Sequence, residues 1–395
     1  MEYLIILLLI LYYVFIHDIR CREKNTRKHK VIVFFALSLI AGLRSRMAPD
    51  TITFEYEFNN IYPTLYSIKY SDLFDSRYPP IWFLLNSLFY TISNYYVFQL
   101  FCAFLTNYIV FRVIDNLSDK FFTVILFYYI YNFCYFNMDV MREFCAVSME
   151  LLAFVYVIEG KNKKSLMFAV IAPLIHSFSF FFSFLLLLMQ IKPKRTTLMF
   201  VGVIGIIFVL SFSRILPLLL VYIPGISASF LFYAFMDIEQ MSFAGWLTRV
   251  ISPIIIFYII KQANNRGEII LHNSANCSTN NNDLVLLCIS YFFIVLLRWS
   301  VPYVERLFNY FAIINYIVFA YGFYKFVGRS RSHSYKFWAL LLISIVFYIP
   351  TGKEMLSKND AGVENLFRYY PYSSIIYERP CMERELIIHD EQRVY

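Results

Sequence analysis

Along this chain, apolar blocks of roughly 14 to 20 residues alternate with short polar joints from one end to the other. A helix needs about 20 mostly apolar residues to cross a bilayer, and somewhat fewer where flanking groups snorkel or the bilayer thins. The blocks at 2–16, 31–43, 95–114, 121–138, 143–159, 197–212, 249–260, 284–298, 307–327 and 337–350 read as spans. Blocks 79–93 and 165–189 fit less simply. The pattern predicts an all-α polytopic membrane protein of about 10–13 membrane segments, some of them short re-entrant half-helices. It places a single multi-pass domain at 1–350 and an external, largely polar tail at 351–395. The first sixteen residues lack a basic leader and a small-residue cleavage site, so they read as a retained first helix.

Charge placement orients these segments. Basic clusters at Arg20–Lys30, Lys161–Lys164, Lys192–Arg195 and Lys325–Lys336 mark the cytoplasmic loops. Two long segments, 44–78 and 213–248, then fall outside as loops. The first mixes five acids and four bases with aromatics and reads as short amphipathic pieces lying on the interface. If all four blocks between 79 and 159 spanned, Lys161–Lys164 would lie outside, so 79–93 is expected to be re-entrant or interfacial. Block 165–189 lies between two cytoplasmic clusters and must leave and return, with its turn near Pro173–Ser177 and His176 at the tip. Irregular backbone at that depth is tolerated only inside protein or against a wet cavity.

Composition agrees and removes several function classes. The chain is 59% hydrophobic, 20% aromatic and only 16% charged, against about 25% charged in soluble domains. The net charge of +8 comes from short basic loops separated by membrane helices, so nucleic acid is not an expected partner. The seven cysteines form no CxxC and no His/Cys cluster, so no metal or cofactor is expected. There is no Walker loop, GxGxxG, HExxH or GxSxG.

What remains is a set of arginines at the outer ends of membrane helices: Arg44, Arg46, Arg142, Arg249, Arg298 and Arg306. The charge rule depletes bases on that face, and arginine in a membrane usually faces a bundle interior or an aqueous cavity. Its planar fork suits phosphate and diphosphate oxygens. Each one alone could equally snorkel to lipid headgroups or pair with a neighbouring Glu143 or Glu305; the set points to an outward anion site. His176, the one histidine within an apolar block, is a candidate proton carrier. Asp50, Glu55 and Glu57 in the first external loop are rival bases.

The order of motifs resembles the EpsG/Wzy family of exopolysaccharide and O-antigen polymerases. Leu43-Arg44-Ser45-Arg46-Met47-Ala48-Pro49-Asp50-Thr51, with Phe54 and Phe58 after it, is similar to the family's opening loop. Asn137 and Met141-Arg142-Glu143 lead to the Lys161–Lys164 loop, and His176-Ser177 follows. Glu305-Arg306-Leu307-Phe308-Asn309-Tyr310 resembles a late Arg–aromatic helix start, and Pro371-Tyr372 a terminal Pro-Tyr. Ala48 stands where a Gly is usual, Phe54 where a Tyr is common, and Phe178 where a small residue follows His-Ser. These departures bear on the geometry of the loop and of the hairpin tip.

The resemblance implies a GT-C-like, metal-independent membrane glycosyltransferase in the cytoplasmic (inner) membrane, with its active site on the periplasmic or external face. It would join undecaprenyl-diphosphate-linked oligosaccharide units into O-antigen, capsule or exopolysaccharide. On that reading His176, Asp50 and Arg142 are catalytic, and Arg44, Arg46, Arg249, Arg298 and Arg306 bind substrate. Membrane lipids, a flippase and a chain-length regulator are the implied partners. The alternative is a lipid-linked oligosaccharide flippase, for which pseudo-repeated halves and charges along a central path are expected. An outer-leaflet ligase or acyltransferase, or a structural partner in an assembly complex, are further rivals.

Overall fold

The computed structural model describes residues 1–75, 78–191, 243–271, 281–298, 302–327, 332–358 and 362–394. The expected span 197–212 and nearly all of the expected external loop 213–248 lie outside the described residues.

No strand occurs among the described residues; the chain is a succession of helices. These are α1 (Glu2–Tyr13), running into a π-helical turn at Val14–Ile19, then α2 (Thr26–Gly42), α3 (Pro49–Asn60), α4 (Tyr70–Asp75), α5 (Pro80–Ile92) and α6 (Tyr95–Leu117). There follow α7 (Phe121–Tyr131), α8 (Met141–Ile158), α9 (Asn162–Ile171) and α10 (Ser179–Ile191). Beyond the undescribed stretch come α11 (Phe243–Asn265), α12 (Asn282–Leu297), α13 (Phe308–Val327), α14 (His333–Leu356) and α15 (Met382–Val394). Among the described residues, three helical stretches are long and apolar enough to cross a membrane: Glu2–Ile19, Tyr95–Leu117 and Phe308–Val327. Shorter apolar helices include Pro80–Ile92, Phe121–Tyr131, Ser179–Ile191, Asp283–Leu297 and His333–Val346. This is the architecture of a polytopic membrane protein.

A helix that is apolar all round belongs inside a bundle. In α7 the run Phe121–Tyr129 is buried throughout, and α13 buries Tyr310, Phe311, Ile313, Ile314, Ile317 and Val318 beside it. Together with α1, α2, α6 and α8 they form the main core. Two glycines permit close crossings. A Cβ on Gly42 would lie 2.5 Å from Leu100 Cδ1 and 3.1 Å from its backbone Cα, and one on Gly322 would lie 2.5 Å from Ile259 Cδ1. Small residues at such crossings let helix backbones approach where lipid supplies no hydrophobic drive.

Polar groups fix the ends. α7 has no cap of its own; Asp18, at the end of the first span, accepts from the Thr123 amide at 2.6 Å and its hydroxyl at 2.8 Å. A carboxylate there satisfies an open N–H at the positive end of the helix. Block 121–138, which the sequence pattern reads as one span, is broken. α7 stops at Tyr131, Asn132 leaves the helix and accepts from the Tyr316 hydroxyl, and a π-helical turn at Tyr135–Asp139 leads into α8. The side-chain amide draws the backbone out of an otherwise uninterrupted apolar run.

The first expected external loop packs into the protein through its first part, 44–58, and through Tyr62 and Tyr78, whereas most of 59–71 is exposed. Phe54 and Phe58 of α3, with Tyr62, Tyr78, Trp82 and Phe83, build a second core against Phe98 of α6 and Met141 and Cys145 of α8. The 165–189 block is a helical hairpin, α9 and α10, with His176 in its turn. The amide of Ile81 at the start of α5 donates to Leu174 O in that turn at 2.8 Å, so the turn is pinned from the α5 side. α14 runs on to Leu356, past the expected edge of the membrane domain at 350. The tail folds back onto the loop after α2: Ser45 N donates to Ser373 O at 3.0 Å, Ala48 N to Arg368 O at 3.1 Å and Ile375 N to Leu43 O at 2.9 Å.

Candidate functional site

The start of α8 gathers the candidate residues. Arg142 occupies its first turn and lies over the Tyr78 ring, 5.4 Å from the centroid. The residue is half-buried, and none of its five guanidinium N–H groups reaches a hydrogen-bond acceptor among the described residues. Next to it, Glu143 is buried and its Oε1 accepts from Asn309 Nδ2 at 2.6 Å. Asn309 belongs to the first turn of α13, directly after Arg306 and Phe308. Arg142 and Arg306 both lie within electrostatic reach of Glu143 and of His176. The His176 ring stacks on Phe178, and its Nδ1 is 3.2 Å from the Tyr310 hydroxyl. Nε2 makes no hydrogen bond among the described residues.

The N-terminus of α8 and the junction at which a 3-10 helix, Pro302–Leu307, runs into α13 therefore meet the hairpin turn and the start of α5. The N-terminus of α8 carries partial positive charge, and two guanidiniums add to it. Such a place attracts an anion. Arg249 stands beside it, 5.8 Å from the centroid of the Phe308 ring. Tyr78 also donates to Glu57 of α3, so the face carrying Arg142 is tied to the folded loop.

The other expected residues are placed differently. Arg44 is 1% exposed, with Nη1 donating to Ala41 O at 2.5 Å, Nε to Thr51 Oγ1 at 3.3 Å and Nη2 3.9 Å from Met141 Sδ. It holds the loop together from inside. Arg46 makes a two-pronged pair with Glu385 of α15, 2.8 and 3.2 Å. The Asp50 amide, in the first turn of α3, donates to the Asp139 carboxylate, which also accepts from the Tyr369 hydroxyl at 3.1 Å. Burial raises Asp139 above the ordinary carboxylate range, opposed by Arg368, Tyr369 and that amide. Tyr372 of the Pro-Tyr pair donates to Ile40 O at 2.9 Å. Arg298 ends α12.

Arg142, His176 and Arg306 are thus brought together from three distant stretches, with Arg249 adjacent. Arg44, Arg46 and Asp50 lie at the loop–tail junction instead. A family model matches residues 27–374, the interval that contains all of these motifs. The chain belongs to the EpsG family. EpsG proteins are membrane proteins of the polysaccharide-polymerase type. No curated protein and no solved structure matches this chain. Within the EpsG pattern, reading by sequence treats Glu143 only as a neighbour of Arg142 and passes over Asn309, Tyr310 and Tyr78. The first three stood inside the quoted motifs, so position was available as a signal where role was not.

Proposed function

We propose that this EpsG protein is a glycosyltransferase that joins undecaprenyl-diphosphate-linked oligosaccharide units outside the cytoplasmic membrane. The growing chain is the donor, a hydroxyl of the incoming unit attacks its anomeric carbon, and undecaprenyl diphosphate leaves. Arg142 and Arg306, with Arg249 beside them, hold the diphosphate and meet the negative charge that builds on it. Preorganised donors of this kind are worth about 10²–10³-fold each in rate. In the tautomer with its proton on Nε2, His176 accepts from the Tyr310 hydroxyl at Nδ1 and can donate to the same oxygens. The observation that carries this reading is half-buried Arg142, its guanidinium without an acceptor among the described residues, beside Arg306 and His176.

The flippase alternative differs in where material accumulates. Deletion followed by complementation, with lipid-linked units assayed on each side of the membrane, separates the two. Polymerase function predicts single repeat units on the outer carrier or its acceptor and no long chains. Accumulation on the cytoplasmic side would replace this reading with the transporter.

A further inference from the structure

Glu143 stands out within the site because one of its oxygens is left over. The carboxylate is 2% exposed, Oε1 is fixed by Asn309 Nδ2 at 2.6 Å, and Oε2 is buried with no hydrogen-bond partner among the described residues. Neither Arg142 nor Arg306 is within ion-pair distance of it among the described residues, although both lie within electrostatic reach. Buried polar atoms are nearly always satisfied in a folded protein. A buried carboxylate oxygen of fixed orientation and without a donor, beside two guanidiniums suited to a diphosphate, calls for a donor that arrives with the ligand. A sugar hydroxyl next to a diphosphate-linked sugar is such a donor.

We infer that Glu143 is the proton acceptor for the attacking sugar hydroxyl; this rests on the polymerase reading above. The hydroxyl oxygen forms its bond to the anomeric carbon of the chain end. The bond from that carbon to the diphosphate oxygen breaks, and its electron pair leaves with undecaprenyl diphosphate. The hydroxyl proton passes to Glu143 Oε2 and is later released to water. Asn309 sets the plane of the carboxylate, and the guanidiniums take up the leaving charge. His176 is a poorer acceptor here, because a protonated imidazole would add a third cation beside Arg142 and Arg306, and its Nδ1 is already engaged by Tyr310. Asp50 sits at the loop–tail junction, with its amide on Asp139.

Glu143→Gln keeps a carbonyl for Asn309 and removes only the basic oxygen. The test compares wild type, Glu143→Gln and Glu143→Asp in proteoliposomes, supplied with the lipid-linked units extracted from the deletion strain. Polymer formation and undecaprenyl diphosphate binding are both measured. The inference predicts that Glu143→Gln binds undecaprenyl diphosphate within about twofold of wild type and forms polymer about 10²–10⁴-fold more slowly. Glu143→Asp, which retains a base one methylene short, should fall between them, and it carries the test if the Gln variant does not insert. A Gln or Asp variant that polymerises like wild type would overturn the assignment. So would binding that falls in proportion to rate, since Glu143 would then only orient the arginines. If wild type itself forms no polymer from these units, the polymerase reading fails and Glu143 falls with it; in the other outcomes that reading stands.

Discussion

Two regions of this protein carry arginines at what the sequence presents as the same outer face, and the protein uses them in opposite ways. At the loop–tail junction, Arg44 is enclosed and bonded to Ala41 and Thr51, and Arg46 is paired with Glu385. At the start of α8, Arg142 lies half-buried over an aromatic ring with no acceptor among the described residues, near Arg306 and His176. The residue type is the same; the difference lies in whether the fold itself supplies the oxygens. Where it does, arginine is structural. Where it does not, as at Arg142, the fork is the one we propose for the diphosphate.

The sharpest way to break this comparison is to exchange the two regions' sensitivities. Arg142→Ala or Arg306→Ala should lower polymer formation about 10²–10³-fold while the protein still inserts at normal levels; chain-length profiling alongside membrane immunoblots reads both. Arg44→Ala should do the reverse, lowering the amount of folded protein. Each hydrogen bond lost from a buried charged donor is worth roughly 1.5–3 kcal/mol, and a detergent-solubilised melting curve reports it.

Smaller effects sharpen the picture of the junction. Ala48 is fully buried at φ +60° and ψ +143°, a conformation that strains a residue with a side chain by roughly 1–3 kcal/mol. Ala48→Gly removes that strain and gives up one buried methyl worth about 0.8 kcal/mol. It should therefore raise the melting temperature modestly with unchanged product. A lowered melting temperature would mean that the methyl outweighs the strain. The smallest effect is expected for Arg46→Gln. Its pair with Glu385 is about half exposed, and exposed pairs contribute about 0–1 kcal/mol and are screened by salt. Polymer length and yield should not change.

Much of this arrangement was legible before any coordinates. The hairpin with His176 in its turn followed from two basic clusters flanking 165–189, because only an out-and-back path satisfies both. Arg142 and Arg306 followed from helix-end position. The fate of Arg46 did not, because its partner Glu385 lies far away in the chain; that of Arg44 did not either, because its acceptors, Ala41 O and Thr51 Oγ1, converge on it only once the loop has folded. Nor did the burial of the loop's first part, 44–58, because mixed polarity marks 44–78 as too polar to span without saying what covers it. Its aromatics Phe54, Phe58 and Tyr62 pack against α5 and α6. The break at Asn132 was hidden because one amide barely alters the mean hydropathy of a long apolar run. The Gly-to-Ala departure at position 48, by contrast, was a readable sign. A place where the family uses Gly is a place where φ is expected to turn positive, and it does.

The claim that the start of α8 is an outward diphosphate site, while the neighbouring junction is structural, can be tested by equilibrium binding. Undecaprenyl diphosphate would be titrated into purified wild-type, Arg142→Ala and Arg46→Gln protein. The account predicts that Arg142→Ala weakens binding at least about tenfold, which is 1.4 kcal/mol, and that Arg46→Gln matches wild type. Equal affinity of all three, or a loss confined to Arg46→Gln, would contradict it.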